Sequence, residues 1–166
     1  MIGILDYGVG NIGAFLRIYH SNNIEATPIQ SPSDFNRIEK IVLPGVGSFD
    51  SAMKRLNESG LRENLDEFVQ NRNCPLLAVC IGMHMLGCSS AEGSVDGLGY
   101  INGSTKKIPS SNKKQKILVP HMGWNSIKKS KDDLIWSNIK ADEGFYFLHS
   151  YYFEPKCEDS IIGTSN

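Results

Sequence analysis

Ile2–Leu5 is an unbroken apolar run and reads as a buried strand. After a glycine turn, Asn11–Ser21 carries Ile12, Phe15, Leu16 and Tyr19 at helical spacing. Ala26–Gln30 reads as a second strand and Lys40–Leu43 as a third. The next two segments are amphipathic helices: Phe49, Ala52, Met53 and Leu56 share one face, and Leu61, Leu65, Phe68 and Val69 another. Leu76–Val79 is the fourth apolar run. Strands alternating with helices predict an α/β fold with a mostly parallel central sheet flanked by helices. Past Ser89 the texture changes. Short strand-like runs (Leu98–Ile101, Lys116–Val119, Phe145–His149, Tyr151–Phe153) alternate with Gly, Ser and Lys loops. They predict antiparallel strands at the sheet edge in the C-terminal half. With no internal repeat and no linker, residues 1–166 read as a single domain.

Composition narrows the function classes. The chain has 166 residues, 40% hydrophobic and 21% charged, with a net charge of −1. That balance gives no overall attraction to nucleic acid or to an anionic membrane. Lysines 106, 107, 113, 114, 116, 128, 129 and 131 fall in a stretch without Asp or Glu. The segment reads as a solvated lysine-rich loop, with a docking face for an acidic partner as the alternative. No apolar stretch is long enough to span a bilayer, and Asp6 interrupts the apolar start before it could serve as a signal peptide. The four cysteines (74, 80, 88, 157) form no C-x-x-C pair, which predicts reduced thiols in the cytoplasm. Four widely spaced histidines (20, 84, 121, 149) imply no metal, and no motif implies a cofactor.

The candidate chemistry centres on Cys80. It ends the fourth apolar run and is followed by Ile81-Gly82-Met83-His84, the sequence form of a nucleophile elbow. A helix starting behind the sulfur favours thiolate, and Gly82 relieves crowding at the turn. Pro44-Gly45-Val46-Gly47 follows the neighbouring strand. Its N–H groups and that of Ile81 are candidates for an oxyanion hole. Gly8-Val9-Gly10-Asn11-Ile12-Gly13 matches G-x-G-x-x-G, but Asp6 would face a pyrophosphate and no acid ends the second strand. A tight turn that lets the helix pack closely explains these glycines better than a dinucleotide does.

Five segments occur together: Asp6-Tyr7-Gly8-Val9-Gly10-Asn11, Leu43-Pro44-Gly45-Val46-Gly47-Ser48-Phe49, Val79-Cys80-Ile81-Gly82-Met83, Pro120-His121-Met122-Gly123-Trp124-Asn125 and Phe147-Leu148-His149-Ser150-Tyr151-Tyr152. In this order they resemble the class I (triad) glutamine amidotransferases, a flavodoxin-like fold. Within that family they are similar to the glutaminase subunits of imidazole glycerol phosphate synthases. The resemblance implies hydrolysis of L-glutamine through a cysteine thioester. It assigns Cys80 as nucleophile and Gly47 and Ile81 to the oxyanion hole. His84, Glu92, Ser150 and Tyr151 fall at glutamine-binding positions. Asn11, Trp124 and Tyr146 fall at the interface with a barrel-fold cyclase that receives the ammonia, in a heterodimer serving histidine biosynthesis.

Three departures qualify the resemblance. His84 stands where the family usually has glutamine, and Ala78 where it usually has glycine. The family's triad is completed by a His-Pro-Glu motif, which residues 1–166 do not contain. The resemblance therefore predicts further C-terminal sequence; a chain truly ending at Asn166 would be a non-catalytic docking protein. Two more alternatives are supply of ammonia for a surface-polysaccharide sugar and a cysteine hydrolase of another substrate. His84, His121 and His149 each read as structural rather than as the base.

Overall fold

The computed structural model describes residues 1–111, 118–140 and 143–165. Its centre is a parallel four-stranded sheet formed by β1 (Ile2–Leu5), β2 (Ala26–Ile29), β3 (Lys40–Leu43) and β4 (Leu76–Ala78) in the order β2-β1-β3-β4. Helix α1 (Ile12–Ser21) connects the first two strands. Its predicted face of Ile12, Phe15, Leu16 and Tyr19 is half-buried. Helices α2 (Phe49–Glu58) and α3 (Arg62–Asp66) connect β3 to β4, and α3 widens into a π-helical segment over Glu67–Asn71. On α2 the predicted face is the buried one: Phe49, Ala52, Met53 and Leu56. At about 25 cal/mol per Å2 of apolar area removed from water, such faces supply most of what holds this half together.

Helix α4 (Ile81–Met85) begins directly after β4. The chain then forms β5 (Ser89–Ser90), β6 (Gly103–Lys107), β7 (His121–Asn125), β8 (Lys128–Lys129), β9 (Phe145–His149), β10 (Tyr151–Pro155) and β11 (Gly163–Thr164). These later strands form small sheets ordered β10-β6-β5, β11-β8 and β7-β9; β10-β6, β11-β8 and β7-β9 pair antiparallel, and the short β5 pairs parallel to β6.

Two expectations need correction. Leu98–Ile101 is not a strand. Leu98, Gly99 and Ile101 donate their N–H groups to the carbonyls of Met85, Gly87 and Leu86. The apolar run covers the end of α4 instead of pairing in a sheet. Of Lys116–Val119, the first two residues lie outside the described residues, and Leu118 and Val119 are not in a strand. Lysines 113, 114 and 116 of the lysine-rich stretch likewise lie outside them.

Candidate active site at the end of β4

Cys80 adopts φ 57° and ψ −120°. A positive φ is costly for a residue with a Cβ, on the order of 1–3 kcal/mol, and persists only where the surroundings impose it. Here they do. Val79 donates its N–H to the Leu43 carbonyl on β3 at 3.0 Å, which fixes the strand end. The N–H groups of Met83 and His84 then close on the Cys80 carbonyl at 2.9 and 3.2 Å, which starts α4. The residue between these two constraints must reverse direction within one step. Its side chain is left exposed.

The Pro44–Gly47 loop lies against this turn. A Cβ on Gly45 would stand 2.3 Å from the Gly82 nitrogen, and one on Gly82 would stand 2.2 Å from the Leu43 oxygen. Both positions require glycine because backbone meets backbone there. Tyr7, buried after β1, donates its hydroxyl to the Pro44 carbonyl at 2.7 Å and steadies the loop from below. Gly10 packs against the same proline, where a Cβ would come within 2.9 Å of the ring. Gly8 and Gly10 have φ of +83° and +99°. The glycine motif thus serves a turn and a close approach. Gly47 has φ +89° with open space around it, and Ile81 is buried at the first position of α4.

Glu92 reaches the same neighbourhood. Its carboxylate accepts the N–H of Phe49, two residues beyond Gly47. Its Oε2 is buried with no hydrogen-bond partner. Burial pushes its pKa up, the Phe49 N–H opposes that, and Asp50 adds to it. Asp50 in turn accepts from the N–H groups of Ser94 and Val95, which ties the Glu92 loop to the start of α2. A buried carboxylate oxygen lacking a donor is a place for a cationic group.

His84 is 5% exposed, and its Nδ1 has no partner. Burial, with a smaller contribution from His149, pushes its pKa down to about 4, so the ring is neutral at pH 7. His149 precedes Ser150 and Tyr151 at the corner where β9 becomes β10. Helix α4, which carries His84, lies against β10 just past that corner. Ser150 accepts the Ile108 N–H at 2.9 Å, and Tyr151 pairs with Lys107.

The remaining predicted residues lie at the start of α1 and on strands β7 and β9. Asn11 caps α1 by accepting the Ala14 N–H at 3.1 Å. Trp124 and Tyr146 face each other across β7 and β9, edge to face at 5.7 Å. They are 76% and 56% exposed, and Met122 and Leu148 beside them are 62% and 61% exposed. Spacing did not reveal that His121 and His149 pair across the same two strands. Among the described residues no cluster of His, Cys, Asp and Glu could hold a metal ion, and no helix is long and apolar enough to cross a membrane. An open groove of about 390 Å3 lined by Met1, Thr27 and Arg37 lies at the N-terminal edge of the sheet. Ligands of open parallel sheets bind at the opposite, carboxyl edge, where Cys80 stands.

The family model for class-I glutamine amidotransferases matches residues 4–166. The chain belongs to this family. Curated relatives include the imidazole glycerol phosphate synthase subunit HisH of Leptospira borgpetersenii, 42% identical over all of this chain and 81% of its own length. HisH of Bdellovibrio bacteriovorus is also 42% identical, with the same coverage. HisH 2 of Methanococcus maripaludis is 43% identical over 99% of this chain and 80% of its own length. A crystal structure of a glutamine amidotransferase superposes with a TM-score of 0.67 at 14% identity, covering 98% of this chain and 78% of the other. That likeness bears on the amidotransferase fold alone, whereas the relatives' identity carries family membership.

Proposed function

We propose that the protein is the glutaminase subunit of an imidazole glycerol phosphate synthase. The observation that carries the reading is an exposed, conformationally forced cysteine at the carboxyl edge of a parallel sheet, with the Pro44–Gly47 loop packed on it. In this reading the Cys80 sulfur adds to the side-chain carbonyl carbon of L-glutamine. The N–H groups of Gly47 and Ile81 stabilise the oxyanion. The C–N bond breaks, ammonia leaves with the proton given up by the thiol, and a glutamyl thioester remains. Water then releases glutamate and restores the thiol. A base must take the thiol proton, and the family's His-Pro-Glu motif does not occur within residues 1–166. Glu92 binds the α-ammonium of glutamine through its orphan oxygen, which offsets the cost of burying that carboxylate. Ser150 and Tyr151 hold the substrate's backbone end, and His84 contributes at its side. Asn11, Trp124 and Tyr146 meet a barrel-fold cyclase partner, which takes the ammonia in the cytoplasm for histidine biosynthesis.

The test is glutamine turnover with the partner present. Cys80→Ala should lower it by at least about a thousandfold, as loss of a nucleophile does elsewhere. Glu92→Gln should lower kcat/KM by about 10- to 100-fold, the worth of one charge-assisted hydrogen bond. Undiminished turnover in Cys80→Ala would end the reading.

A further inference from the structure

Two histidines far apart in sequence form one hydrogen-bonded unit, and the fold dictates where their protons lie. His149 Nδ1 stands 2.7 Å from the Tyr151 carbonyl oxygen. A carbonyl only accepts, so Nδ1 carries the hydrogen. The Nε2 of the neutral ring is then an acceptor. It lies 3.0 Å from His121 Nδ1, which must therefore donate. His121 Nε2 is left as an acceptor and faces the Asn125 side-chain nitrogen at 3.4 Å. That amide cannot turn round freely, because its oxygen accepts the Ser126 N–H at 2.8 Å. Both ends of the chain are fixed by backbone groups, so both rings are held as the Nδ1–H tautomer. Phe147 stacks on the His121 ring at 4.6 Å and 20°, leaving only the ring edges for polar contacts.

The position matters as much as the chemistry. His149 is the last residue of β9, which pairs with β7. Tyr151 is the first of β10, which pairs with β6. The bond from His149 to the Tyr151 carbonyl spans the corner between two sheets, with Ser150 at its apex. The opposite face of β7 and β9 carries Met122, Trp124, Tyr146 and Leu148, all strongly exposed.

We propose that His121 and His149 are positioning residues: a two-imidazole wire of fixed tautomer that ties the β7–β9 ribbon to the Tyr151 backbone and so sets the segment that holds the substrate. This rests on the functional reading above for the identity of that substrate. The titratable groups facing His149 are His121 from β7 and His84 from α4. A proton added to either wire ring sets one donor against another, at Asn125 or between the rings. The wire therefore works only when both rings are neutral.

The decisive measurement is nitrogen-15 NMR of the histidine rings in the wild-type chain at pH 7.5. Both His121 and His149 should show a protonated Nδ1 and a lone pair on Nε2. An Nε2–H tautomer, or the averaged signals of exchanging tautomers, at either ring would overturn the proposal. Kinetics supply the second arm. His121→Ala should raise KM for glutamine about five- to tenfold with kcat little changed, the worth of one hydrogen bond. His121→Asn, whose amide nitrogen can stand near the former Nδ1, should recover most of that loss. Equal KM values for the two variants, or a loss confined to kcat, would refute the positioning role. Turnover surviving Cys80→Ala would remove the substrate assignment, while the ring spectra would still decide the wire.

Discussion

The two halves of this chain are held together by different means. Every buried apolar side chain among the described residues lies at Leu98 or earlier. From Leu5 to Leu98 most of these residues form one cluster between the parallel sheet and its helices. Beyond Leu98, β7, β9 and β10 alternate between half-buried and exposed positions, joined by ladders, ring pairs and the His121–His149 hydrogen bond. Chemistry follows the same division. Cys80, the Pro44–Gly47 loop and Glu92 all precede Leu98 and belong to the packed half, which can hold a backbone of positive φ. The other half carries Ser150, Tyr151 and the exposed apolar side chains Met122, Trp124, Tyr146 and Leu148.

The division is broken most severely from the packed side. Phe68 is 1% exposed, with its ring edge against Phe35 at 6.1 Å and Arg72 over its face. Phe68→Ala should cost about 3–5 kcal/mol, a large part of the total stability of an ordinary domain. Denaturant unfolding of the variant measures it. A cost under about 1 kcal/mol would mean that the cluster does not carry this half.

The same contrast explains what was legible in the residues. Ile41–Leu43 of β3 and the Phe49–Leu56 face could be read directly, because full burial demands unbroken or helical apolar runs. The elbow and the Pro44–Gly47 loop were legible because steric crowding of backbone on backbone leaves only glycine at Gly45 and Gly82. Strand β7 was not. It exposes Met122 and Trp124 and half-buries His121, Gly123 and Asn125, the reverse of a strand that faces a core. Leu98–Ile101 misled because apolar side chains covering a helix end look like a strand. The His121–His149 pair depends on a register 28 residues apart, which no local pattern encodes.

His84 marks the seam between the halves, and its titration sharpens the comparison. Its folded pKa, about 4, lies below the ordinary 6.5. Between those values the unfolded chain binds the proton and the folded chain resists it. Stability is thus fully present above pH 6.5 and falls as the pH drops towards 4, by at most about 3 kcal/mol. His84→Gln should flatten that part of the pH–stability curve, measured by thermal unfolding at a series of pH values. An unchanged slope would show that His84 is not held neutral by burial at the seam.

The smallest expected effect on stability comes from the exposed face. Trp124 is 76% exposed, and its one described ring contact is Tyr146 across the ladder. Trp124→Ala should lose that aromatic pair and little else, about 0.5–1 kcal/mol. An exposed apolar patch of this kind marks a site where another surface docks. Under the proposed function, the same substitution should therefore weaken association with the proposed synthase partner by far more than it weakens the fold, as an aromatic anchor at an interface does. Calorimetric titration of the partner, set beside thermal unfolding of the variant, separates the two quantities. A variant that binds its partner normally but unfolds several degrees earlier would place Trp124 in the fold's own packing and remove the distinction between the halves.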